Sequence, residues 1–142
     1  MEPYEKNRLT LVKELVDYFI KEGLQVISAK ELMGYRPPVS VPNDGYGDQE
    51  PKRPDVLAFD KEKKCFAIGV VRMEKNEIDS EESLTEYNVF LDQKDKATGQ
   101  PYHLFIMVPG SYVNDLTSLL THYIHRDYWS RITIVSSARP ST

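Results

Sequence analysis

The sequence predicts an α/β fold, a single domain in which a mixed β-sheet is flanked by α-helices, and three observations carry that reading. Segments of helical period alternate with short runs of strand-forming residues along the chain. Two of those runs, "DVLAFD" and "CFAIGVVRM", are joined by the charged tetrapeptide "KEKK", a link short enough for an antiparallel hairpin. The length, 142 residues, is that of one compact domain with a full core, so a single unit is expected over 1–142.

The first helix is expected from Leu9, Val12, Leu15, Val16, Phe19 and Ile20, which recur at helical spacing, with Gly23 as its stop. "LQVIS" follows as a short strand. Residues 34–53, "GYRPPVSVPNDGYGDQEPKR", hold four prolines and three glycines and therefore form a long loop. After the hairpin, Asp79 is expected to cap a second helix, with Glu82 three residues on and Leu84, Tyr87 and Leu91 facing inward. "YHLFIMV" reads as a buried strand. "PGS" then turns into a third helix capped by Ser111 or a neighbour, with Val113, Leu116, Leu120 and Tyr123 on one face, and "RITIVSS" closes the sheet before a short polar C-terminal tail.

Composition narrows the function. Hydrophobic residues make up 40% and charged residues 28%, and no apolar run approaches the roughly 20 residues of a membrane span, so no membrane association is expected. The charged N-terminal stretch lacks the apolar core of a secretory signal, and the single Cys65 cannot form an internal disulfide, which together point to the cytoplasm. A buried structural thiol is the expected role of Cys65. The net charge of −4 gives no overall attraction for nucleic acid. Eight acidic residues lie between Glu74 and Asp95 against Lys75 and Lys94, whereas Arg126, Arg131 and Arg139 mark the other end. A solvated helix face is the reading of the acidic run; if it formed one continuous patch, an acidic inhibitor or immunity-type protein would be favoured.

The order helix, three-stranded meander, helix, strand, together with "RPDVLAF" and "CFAIGVVR", resembles the core of the PD-(D/E)XK, or restriction-endonuclease-like, superfamily from about Leu9 to Val135. Pro54 and Asp55 match the first half of the family's motif. The resemblance makes Asp55 the candidate catalytic residue and metal ligand, as a vestigial or partial site, with Mg²⁺ as cofactor if the domain is active. The family's (D/E)-x-K triplet is not matched, because Gly69 stands at the carboxylate position and Val71 at the lysine position. Such enzymes hold Mg²⁺ with at least two carboxylates and stabilise developing charge with the lysine. The expectation is therefore a divergent, catalytically degenerate domain acting as a binding or interaction module, with no confidently expected cofactor. The alternative is an active Mg²⁺-dependent DNA nuclease with a rearranged metal site. An approach of a second carboxylate to Asp55 separates the two.

Among substitute ligands, Glu74 lies too far along the strand, Glu86 and Glu14 are expected to face solvent, and Glu5 alone is near the apolar stripe. Arg72 is expected as a surface cation at a strand end, on the face opposite Val71. His122 and His125 fit the C-terminus of a helix better than a metal site. Tyr35, Arg36, Tyr46, Lys52 and Arg53 on the long loop are the expected partner contacts, with a protein partner or self-association ahead of nucleic acid.

Overall fold

In the computed structural model, which describes residues 3–138, the chain is a single α/β unit built on a five-stranded mixed sheet. Arg139 and the end of the polar tail lie outside the described residues. Helix α1 (Pro3–Lys21) leads into β1 (Gln25–Ala29), and after the long loop β2 (Val56–Asp60) and β3 (Cys65–Val71) form the expected hairpin. The hairpin is antiparallel, with Val56 opposite Gly69 and Asp60 opposite Cys65. A four-residue helix, α2 (Lys75–Ile78), and α3 (Glu81–Leu91) precede β4 (His103–Pro109); α4 (Val113–Tyr123) then precedes β5 (Ile132–Ser137). The strands lie in sequence order. Neighbours β1–β2 and β2–β3 are antiparallel, β3–β4 and β4–β5 parallel.

Both faces of the sheet are covered, which is why its central strands read as continuous apolar runs rather than alternating ones. Leu11, Val12, Leu15, Val16 and Phe19 of α1 pack with Ala67, Val71, Met107 and Val135 on one face. Tyr87, Phe90 and Leu91 of α3 and Leu116, Leu119 and Leu120 of α4 pack with Ile68, Val70, Leu104 and Ile106 on the other. Gly69 is required by the first packing. A Cβ there would lie 2.8 Å from Leu15 Cδ2 and 2.9 Å from Phe19 Cε2.

Several local expectations are corrected. Ile20 is 55% exposed and Tyr123 is 65% exposed, because Leu11 and Leu119 occupy the inward positions instead. Ser80, not Asp79, caps α3, its hydroxyl accepting from Ser83 N–H at 3.1 Å. Asp79 is displaced because the preceding residues form α2, begun by Glu77 reaching back to the N–H groups of Met73 and Glu74. A 3₁₀ turn over Gly110–Tyr112 leads into α4, whose cap position, Tyr112, makes no side-chain cap.

The loop over 34–53 has, among the described residues, one isolated bridge, between Val41 and Lys52. Asn43 organises its tip, accepting from Gly45 and Tyr46 N–H and donating to the Tyr46 and Glu50 carbonyls. The tip lies on α3. A Cβ on Gly47 would fall 2.5 Å from Thr85 Oγ1, and Gln93 Nε2 donates to Pro42 O at 2.8 Å.

Candidate functional site

A polar cleft of about 530 Å³ opens at the carboxyl end of β3, where the chain leaves the sheet for α2. Open α/β sheets commonly place ligand sites in this position. Its lining brings together Tyr4 and Arg8 from α1, Lys30 after β1, Arg72 after β3, Glu77 from α2, Ser80 at the cap of α3, and Glu82, Ser83 and Glu86 within α3.

Asp55 lies behind this lining, bonded to Arg8, and is 3% exposed. One carboxylate oxygen accepts from Arg8 Nη2 at 2.9 Å, the other from the Val71 N–H at 2.9 Å. A buried carboxylate needs such partners, since an isolated charge in a dry site costs several kcal/mol. The Val71 carbonyl in turn accepts from Arg72 Nη1 at 3.2 Å and faces Arg8 Nη1 at 3.5 Å. Arg8 Nη1 also lies 3.6 Å from Glu77, which accepts the Tyr4 hydroxyl. Arg72 Nη2 donates to Glu86 at 2.7 Å, and its guanidinium carbon stands 5.5 Å from the centre of the Tyr87 ring. Two arginines thus alternate with three carboxylates in one connected network.

The electrostatics follow from burial. Desolvation pushes the Glu86 carboxyl up, against the lowering effect of Arg72, and the charge of Asp55 adds to the rise. The Tyr87 phenol is likewise raised by burial. Arg72 Nε and the Tyr87 hydroxyl are buried without an aligned hydrogen bond.

Arg72 is 6% exposed, so it is a buried ion-pair member and not the expected surface cation. It does face away from Val71, but the opposite face of the sheet is also covered, by α3. Glu86 is half-buried on that pair and does not face solvent. Glu14 is also drawn inward, accepting from Ser137 Oγ at 2.9 Å and Ala138 N–H at 3.0 Å. Glu5 is exposed, and Glu74 is the cap of α2. Gly69 and Val71 belong to the packing under α1 and do not line the cleft.

Of the expected partner contacts, Arg36 and Arg53 are exposed, while Tyr35 and Tyr46 are half-buried. Lys52 is withdrawn from the surface at 8% exposure, because its ammonium bonds Asp48 at 2.8 Å and its backbone forms the bridge with Val41. The five do not gather into one surface: Tyr35 packs on the α1 side and Tyr46 beside Tyr128. His122 and His125 stay apart from any such cluster; among the described residues no group of three or more His, Cys, Asp or Glu is placed to hold a metal ion. Cys65 is buried, as expected, and burial pushes its thiol up.

Arg8, Tyr4, Lys30 and Glu77 escaped the sequence reading. Arg8 carried a readable signal, because it stands three and four residues before Leu11 and Val12 and so shares the buried stripe of α1. Glu77 carried none, lying in a stretch with no periodicity.

The chain matches no protein-family model, no curated protein and no solved structure. No described helix is long and apolar enough to cross a membrane.

Proposed function

We propose that the chain is a divergent PD-(D/E)XK domain, catalytically degenerate, that serves as a binding or interaction module. The helix, antiparallel three-strand meander, helix and strand order supports the family reading, as does Asp55 at the entry to the second strand. The observation that carries the loss of catalysis is the pairing of Asp55. Both of its oxygens are engaged, one by the Arg8 guanidinium and one by the Val71 N–H. Arg8 supplies the positive charge that a divalent ion would supply in an active relative.

Mg²⁺ fits this cleft poorly. It takes near-octahedral oxygen ligands at about 2.1 Å, usually one or two carboxylates with several waters, and here Asp55, Glu77 and Glu86 each face an arginine whose charge repels a second cation. One observation favours the runner-up: Glu86 is close enough for its carboxyl to feel Asp55, and Lys52 is close enough to feel Glu86. In that reading Asp55 and Glu86 hold the metal once Arg8 and Arg72 swing aside, and Lys52 takes the place of the missing lysine.

Incubation of the purified chain with linear, supercoiled and single-stranded DNA in Mg²⁺ or Mn²⁺ separates the two. No cleavage is expected, and Asp55→Ala should lower stability by about 2–3 kcal/mol, since it removes the nearest partner of Arg8 and leaves the buried Val71 N–H without its acceptor. Metal-dependent cutting abolished by Asp55→Ala and by Glu86→Gln would establish the nuclease instead.

A further inference from the structure

A second space, of about 500 Å³, shares no lining residue with the charged cleft. Three tyrosines from three segments meet there: Tyr46 at the tip of the long loop, Tyr123 at the end of α4, and Tyr128 in the 3₁₀ helix over Arg126–Arg131. Asn88, His125 and Asp127 complete the lining, and among the described residues no lysine or arginine joins them. The loop tip is fixed in place, since Asn43 accepts from the Tyr46 N–H and donates to its carbonyl, and Gly47 packs on Thr85 of α3. Tyr123, by contrast, is 65% exposed. The Tyr128 ring already serves a cation: the Arg131 guanidinium carbon stands 5.0 Å from its centre, held by the Leu91 and Tyr102 carbonyls.

The lining is electronegative. His125 Nδ1 accepts the Asp127 N–H at 3.1 Å, which takes the neutral imidazole, so the Asp127 carboxylate 3.5 Å from the same nitrogen faces a lone pair and keeps its charge. Asp92 adds a second negative charge nearby, since the Tyr46 phenol is raised first by burial and next by that carboxylate. Tyrosine faces attract cations through the ring quadrupole, and an ammonium clothed in methyl groups suits them best, because its surface is apolar and weakly hydrated while its charge is intact. We propose that this space binds a quaternary or methylated ammonium group, its methyls against the Tyr46, Tyr123 and Tyr128 rings and its charge answered by Asp127. An anionic ligand would find no cationic side chain in the lining to receive it. The site is separate from the Asp55 cleft and does not rest on the nuclease-like reading.

Amide correlation spectra of the whole chain, titrated with tetramethylammonium chloride and with ammonium chloride at equal ionic strength, test this. Saturable shifts centred on Tyr123, His125, Asp127 and Tyr128 are expected at a Kd of about 1–10 mM for tetramethylammonium, roughly tenfold tighter than for ammonium. Tyr123→Ala, at an exposed position that should leave the fold intact, is expected to weaken binding by about tenfold, whereas Tyr123→Phe keeps the ring and should bind within about threefold of the wild type. Asp127→Asn, which removes the exposed carboxylate, should weaken it by about threefold or more. Choline and Nε-trimethyl-lysine, titrated in the same way, divide the two sources of the group, a small molecule or a modified side chain, by which binds more tightly. Tetramethylammonium binding no tighter than ammonium, shifts that fall outside this space, or a Tyr123→Ala variant that binds like the wild type overturns the proposal.

Discussion

Arg8 and Asp55 form the pair on which the cleft depends, and a double-mutant cycle measures how strongly. Arg8→Met leaves the buried Asp55 carboxylate with only the Val71 N–H and should cost about 3 kcal/mol in urea unfolding. Asp55→Asn removes the nearest charge from Arg8, whose guanidinium keeps Glu77 at 3.6 Å and is 23% exposed, and should cost less. The double variant should be less damaged than the sum, with a coupling of about 1–2 kcal/mol; simple additivity would show that the ion pair is incidental. Gly69 makes a separate residue-scale case. Gly69→Ala drives a methyl into Leu15 and Phe19 and should destabilise by roughly 1–3 kcal/mol, measured by the same unfolding curves. Restoring an acid at this position in search of a metal ligand would therefore perturb the core under α1 before it reached the cleft.

At the scale of elements, His103 ties the start of β4 to the pH response. Burial lowers its imidazole pKa first, and the charges of Lys63 and Arg131 lower it further. The folded chain thus favours the neutral ring. The stability this confers is complete above the ordinary value of 6.5 and is lost as pH falls through the depressed folded value. Thermal melts of the wild type should weaken with acidification across that window more steeply than those of His103→Gln, and equal slopes would refute the assignment. The long loop makes a second element-scale prediction. Val41 and Lys52 exchange N–H···O bonds of 2.7 and 3.1 Å, so their amides should be protected, while Asp44 and Gly47 between them exchange quickly. Uniform protection across the loop would mark it as packed structure. The hairpin and the two later helices were legible in sequence because period and turn chemistry agree there. Helix α2 was not, since four residues give no periodicity and its cap depends on Glu77 folding back. Strand alternation sends Arg72 to solvent and the Leu84, Tyr87, Leu91 stripe sends Glu86 there, whereas the packing of α3 on the sheet closes over both.

For the molecule as a whole, the carboxyl end of β3 gathers α1, α2 and α3 around a charged cleft, and on the proposed function its own arginines close it to divalent ions. That claim, unlike the α/β architecture, depends on contacts between residues far apart in the chain, such as Arg8 with Asp55, which no local pattern reports. A ligand that binds only the folded state raises the unfolding midpoint by mass action. The most direct measurement is therefore the thermal midpoint of the wild-type chain and of Asp55→Asn across a Mg²⁺ and Mn²⁺ titration. Neither metal is expected to raise the wild-type midpoint relative to Asp55→Asn. A saturable rise in the wild type that Asp55→Asn abolishes would contradict it.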